Sequence, residues 1–276
     1  MRRIFLLPVI ILPLLFACLA FAETELQPQL SVWPITFDNL EIGDKPVNES
    51  IKVRNLKKKT VSMRVDLHTW THDERSQVKL IPPSPQSLDQ WMVVNPLRFT
   101  IPAGGEQTIR FSIRPRVKPE PGEHRAILYL SEEEDAEKKA NTFQVLGRYG
   151  IGIYGLVQPV KREAGVTSLA YDRKTSTLSA SVRNNGNVHA RLRGRYSVWK
   201  KGSFPGLAAA RALPATFETD KKPEGLIADG TFAGGPTLPG FTRVYDTKLA
   251  IPEHGGPVII AFTGELDGVP VDKVFE

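Results

Sequence analysis

Apolar and polar residues alternate along much of this chain, and no stretch of convincing length repeats them at the three-and-four spacing of a helix. Val61 to Trp70 is the cleanest case. Val61, Met63, Val65 and Leu67 fall on one face and Ser62, Arg64, Asp66 and His68 on the other, as a half-buried strand requires. The longest alternation runs from Thr142 to Val157. There Phe143, Val145, Tyr149, Ile151 and Ile153 share a face opposite Gln144, Arg148, Gly150 and Gly152. It predicts a strand of about twice the usual length. A charged loop (131–141) precedes it and Gln158-Pro159 ends it. Such a strand serves either as a core strand or as an edge that lends its apolar face and backbone to another chain.

Shorter strands fill the rest of the first half. Leu30 to Phe37 carries Pro34, which lacks an N–H and so marks a sheet edge or a strand switch. Ser50 to Asn55 is followed by a turn at 56–60, and Pro82-Pro83-Ser84-Pro85 is a stiff connection. Trp91–Asn95, Leu97–Ile101, Thr108–Ile113 and Ala126–Leu130 read as strands between Gly- and Pro-rich turns. Beyond Pro159 the pattern restarts with Thr177–Arg183, Ala190–Trp199, Phe241–Leu249 and Pro257–Phe262. Residues 202–235, rich in Gly, Ala and Pro, predict long loops with one or two poor strands. Val53-Arg54-Asn55 recurs as Val182-Arg183-Asn184, and Pro102-Ala103-Gly104 is echoed by Pro239-Gly240. These signals predict an all-β chain of two similar sandwich domains, 23–158 and 159–276.

Composition narrows the function. Arg2-Arg3, the apolar run Ile4 to Leu19 and the small-x-small site Ala20-Phe21-Ala22 form a secretory signal peptide, 1–22. The chain is therefore expected to be exported, with no stable membrane span after cleavage. Cys18, the only cysteine, lies inside that leader. Residues 15–18 weakly resemble a lipoprotein box, although Phe16 is bulky for it. The mature chain thus has neither a disulfide framework nor a thiol nucleophile. Loss of the leader leaves 34 Lys+Arg against 30 Asp+Glu, a modest balance without the basic tract that nucleic acid requires.

No nucleophile-elbow, zinc-helix or phosphate-loop motif is present, so no catalytic residue, cofactor or metal site is nominated and the chain is not expected to be an enzyme. His68 and His72 have i,i+4 spacing, but on a strand that separates them by roughly 13 Å, too far to share one ion. Glu132-Glu133-Glu134-Asp135 lacks the glycine and alternating oxygens of a calcium loop and is expected to be solvated. Glu123 and Arg125 are expected to form a structural ion pair.

The order of these signals resembles the PapD-like family of periplasmic pilus-assembly chaperones. The resemblance is carried by SIKVRN (50–55), WMVVNPLRFTIPAGGEQTIRFSIRP (91–115), PGEHRAILYL (121–130) and RYGIGIYGLVQP (148–159). It implies two immunoglobulin-like β-sandwiches in tandem, set as a boomerang, in a periplasmic chaperone for pilus or fimbrium biogenesis that works without ATP. Immature pilus or surface-fibre subunits would be bound and capped by donor-strand complementation and released at an outer-membrane usher. A second copy capping its own edge is a further partner to consider. The subunit-binding residues implied are Phe143, Val145, Arg148, Tyr149, Ile151 and Ile153, each apolar side chain worth roughly 1.5–3 kcal/mol if fully buried.

The family anchors a subunit's C-terminal carboxylate with a first-strand arginine and a last-strand lysine. This chain has Trp33-Pro34-Ile35-Thr36 at the first position and Gly150 near the second. Either Arg148 and another basic residue take that role or the subunit is held differently. The rival reading is a structural or scaffolding Ig-like surface protein that releases no client.

Overall fold

A computed structural model describes residues 29–73, 76–133, 146–215, 217, 222–232, 234–253 and 255–276. The strands of the first half are β1 (Leu30–Trp33), β2 (Thr36–Glu41), β3 (Val47–Asn55), β4 (Val61–His68), β5 (Trp70–His72), β6 (Val78–Leu80), β7 (Met92–Asn95), β8 (Arg98–Ile101), β9 (Glu106–Ile113), β10 (Gly122–Glu132) and β11 (Arg148–Val157). They make two sheets, β1-β3-β9-β7 and β2-β11-β10-β4-β8, beside a β5–β6 ribbon. The second half holds β12 (Ala164–Asp172), β13 (Thr177–Asn184), β14 (Ala190–Lys200), β15 (Leu226–Phe232), β16 (Pro236–Thr237), β17 (Thr242–Lys248), β18 (Val258–Leu266) and β19 (Val269–Phe275). These form β12-β13-β17 and β15-β14-β18-β19, with β16 pairing β14. The fold is all-β, two sandwiches in tandem. Among the described residues no helix is long and apolar enough to cross a membrane.

Period-2 alternation builds each core. Ile51, Val53, Met63, Leu128, Ile151 and Ile153 meet in the first, and Leu178, Val182, Leu192, Val198 and Phe262 in the second. The repeated asparagine explains the sequence echo. Asn55 is fully buried at the end of β3, where its side-chain amide donates to the carbonyls of Lys59 (2.7 Å) and Ile101 (3.0 Å) and its oxygen accepts from Lys57 N–H (2.9 Å). Asn184 ends β13 in the same way, donating to Val188 and Thr237 carbonyls (both 2.8 Å) and accepting from Gly186 N–H (2.9 Å). Each satisfies backbone groups that a turning chain would otherwise leave unpaired in the interior.

Several local expectations give way to tertiary context. Trp91 belongs to a helical turn, α1 (Leu88–Trp91), where its indole N–H donates to the Pro85 carbonyl at 2.9 Å. The strand from Val61 breaks at Thr69, and Trp70 pairs with Leu80 in the β5–β6 ribbon instead. Residues 202–235 include a short helix, α2 (Leu207–Arg211), as well as β15. The acidic run is not wholly solvated. Glu132 closes β10, is buried, and pairs with Lys57 at 2.5 Å, while Glu133 reaches Arg98 at 3.3 Å.

Candidate functional site

The long alternating stretch resolves into β11, whose two halves differ. Along its whole length β11 pairs antiparallel with β10, from Arg148 opposite Ser131 to Val157 opposite Gly122. On its other side it pairs in parallel with β2, but only from Gly152 (opposite Thr36) to Leu156 (opposite Glu41). Continuing that register backwards would set Ile35 beside Ile151, yet the chain there is crossing to the other sheet, where β1 pairs with β3. Among the described residues, nothing therefore pairs with the outer edge of Arg148–Ile151. The crossover beside it exposes two large apolar side chains, Trp33 (70% exposed) and Ile35 (67%).

The predicted site residues divide along the same line. Ile151 and Ile153 are fully buried in the core of their own sandwich, and Tyr149 is partly buried against it. In the free chain the face carrying the two isoleucines is thus filled from within. Burial raises the Tyr149 phenol above its ordinary pKa, and Glu132 adds to this. Arg148 lies on the opposite face, exposed, with its guanidinium 3.8 Å from the centre of the Tyr129 ring, a cation–π stack that holds the charge over the sheet. Phe143 and Val145 lie outside the described residues, as does the signal peptide. The base of the connection is fastened, since Glu132 N–H donates to Gly147 O (2.9 Å) and Gly147 N–H to the Glu132 carboxylate (3.2 Å).

The face of β11 bearing Arg148 leads into the junction between the sandwiches. Trp70, Ile127 and Tyr154 pack there with Leu238 of the second sandwich. Behind them sits a charged cluster that contains the expected Glu123–Arg125 ion pair and adds His189, Asp38 and Arg191 to it. Glu123, with its side chain fully buried, pairs with Arg125 at 2.9 Å, accepts from His189 N–H at 2.8 Å and makes a very short contact with the His189 ring. Burial pushes the Glu123 carboxyl up, but the His189 hydrogen bond and charge, with Arg125, together hold it below the ordinary range. Asp38 of β2 meets Arg191 at 3.0 Å and His189 at 3.6 Å. Burial drives the Tyr154 phenol to about 12, against the pull of Arg191.

The two histidines at i,i+4 spacing are parted by the break at Thr69. His68 is half-buried near Tyr129, whereas His72 is buried against Trp70 and Phe241. Burial, then the Arg243 and Arg125 charges, lower the His72 pKa to about 4. Among the described residues no group of three or more His, Cys, Asp or Glu side chains is placed to hold a metal ion.

Neither a family model nor a curated protein matches this chain. Solved structures similar to it include the YadV chaperone, at 12% identity over 90% of this chain and 99% of that one, with a TM-score of 0.45. Another is the CsuC–CsuE chaperone–tip adhesion subunit pre-assembly complex from archaic chaperone-usher Csu pili of Acinetobacter baumannii, at 14% identity, 90% and 97% coverage and TM-score 0.46. The Salmonella enterica SafA pilin in complex with the SafB chaperone gives 12%, 89% and 95%, and 0.43. At such values the likeness is one of outline, and the site stands on this chain's own geometry.

Proposed function

We propose that this protein is an exported, periplasmic chaperone that binds and caps immature pilus or surface-fibre subunits by strand addition at β11. It acts stoichiometrically, without catalysis and without ATP, and hands the subunit to an outer-membrane usher. Residues 23–158 form the subunit-binding domain and 159–276 the second domain. The observation that carries this reading is the outer edge of Arg148–Ile151, unpaired among the described residues and flanked by exposed Trp33 and Ile35. An incoming strand would complete the ladder there, its side chains meeting the apolar crossover.

Because Ile151 and Ile153 fill this chain's own core, apolar donation to the partner falls to the residues N-terminal to them: Phe143, Val145 and Tyr149. Arg148 is the cation available to a subunit carboxylate at this edge. Co-expression with a candidate fibre subunit tests the reading. Trp33→Asp with Ile35→Asp, both at exposed positions, should leave the chaperone folded and abolish recovery of the subunit from the periplasm. Unchanged recovery would overturn strand addition at this edge and favour a scaffold without client release.

A further inference from the structure

We infer that Asp38 is a clamp through which the second sandwich sets how much of the β11 edge stays open. This rests on the reading of β11 as a partner-binding edge. The strand that covers the other half of that edge is short: β2 has six residues. It is also interrupted, because Asp38 and Asn39 together oppose the single residue Tyr154, between the Phe37–Ile153 and Leu40–Gly155 pairs. Such a bulge breaks the ladder and re-aims a side chain. Asn39 takes a left-handed backbone (φ 61°) at this point.

What the bulge aims is Asp38, toward the second sandwich. Its carboxylate meets Arg191 Nη2 at 3.0 Å, His189 Nε2 at 3.6 Å and Arg193 Nη2 at 3.9 Å. Next to it the Asn39 side-chain oxygen accepts from Arg162 Nη2 at 3.0 Å. These four partners belong to the chain beyond Pro159, while from β2 itself the Thr36 hydroxyl also donates to the Asp38 carboxylate at 3.2 Å. From its own sandwich β2 is held by buried Phe37, edge-on to Phe111 at 5.0 Å, by Leu40 and the adjoining Ile42 packed in the same core, and by the Ile42 N–H bond to Leu156 O at 2.8 Å. The weakest part of the β2–β11 ladder is thus the part that the other sandwich secures.

Releasing Asp38 would let β2 lift at the bulge and extend the open edge from Ile151 toward Leu156. A partner strand needing a longer ladder than Arg148–Ile151 offers would gain it only when the second sandwich lets go. Ladder length and the contact between sandwiches are then coupled through one carboxylate.

Residue-resolved amide hydrogen exchange on the full chain, without any partner, tests this. In Asp38→Ala and in Arg191→Met, the amides joining β2 to Gly152–Leu156 should exchange about ten-fold faster. Those of Ile127–Leu130, paired to β4, should keep their rates. The double variant should show less than the product of the two single accelerations, because both remove the Asp38–Arg191 contact. Unchanged exchange at Gly152–Leu156, or equal acceleration throughout the first sandwich, would overturn the clamp. If the clamp behaves as expected while subunits fail to protect Arg148–Ile151, the edge reading falls instead.

Discussion

The two sandwiches each end in a strand that runs antiparallel to the one before it, β11 on β10 and β19 on β18, but they treat its outer edge in opposite ways. β19 is the edge of its sheet along its whole length and is armed against pairing. Pro270 cannot donate a hydrogen bond, Asp272 is tied to Arg211, and Lys273 reaches across to the Leu169 carbonyl at 2.6 Å. The neighbouring edge strand, β12, is bulged between Val166 and Ser168. These are the usual devices by which an edge avoids joining another chain. β11 has none of them between Tyr149 and Ile153, where glycines alternate with large apolar residues. Among the described residues, half of it is covered by β2 and half is left open. An edge without those devices, in a chain that guards β19 and bulges β12, is what the proposed strand addition would use.

Substitutions sharpen that contrast, and the largest effect should come from equivalent changes on the two strands. Ile151→Asp places a carboxylate in a fully buried site and should cost roughly 4 kcal/mol or more, seen as loss of cooperative unfolding of the first sandwich. Val269→Asp, at a 65% exposed position of β19, should stay within about 0.5 kcal/mol in the same denaturation experiment. The asparagine corners should behave alike despite the difference in edges. Asn55→Ala and Asn184→Ala each strand buried backbone groups and should each lower stability by about 2 kcal/mol. A large disparity would show that the echo is one of sequence rather than of role.

Smaller effects separate binding from stability. Trp33→Ser with Ile35→Ser should weaken subunit binding about ten-fold or more, measured by titration calorimetry, without moving the melting temperature. The least effect concerns pH. His72 is held neutral in the fold, with burial and the nearby Arg243 and Arg125 lowering its pKa from the ordinary 6.5 to about 4. Between those values the unfolded chain binds the extra proton, so the fold loses stability as pH falls through that window and levels off below it. Denaturant midpoints for His72→Gln should show a flatter slope between pH 6.5 and 4 than the parent.

Much of this was legible in the residues themselves. Alternation located the cores because burial on one face of a strand imposes period 2, and the Val-Arg-Asn repeat located two equivalent corners. β12 and β19 escaped because exposed edge strands carry polar and charged residues on both faces, as in VPVDKVF (269–275), and so lose the period. For the site, alternation found β11 but could not divide it. That Ile151 and Ile153 face inward depends on the opposite sheet, β1-β3-β9-β7, closing over them. The open half depends on where β2 begins, which Trp33-Pro34 hints at only as a strand switch. Asp38, His189 and Arg191 left no local signal, since their partners are about 150 residues away in the chain and only the packing of the two sandwiches unites them.

The most direct measurement is residue-resolved hydrogen exchange on the purified complex with a fibre subunit, compared with the free chain. The outward amides of Arg148–Ile151 should become protected on binding, while the amides of Val269–Phe275 on the guarded edge keep their rates. A stable complex that left Arg148–Ile151 exchanging as in the free chain would contradict strand addition at β11.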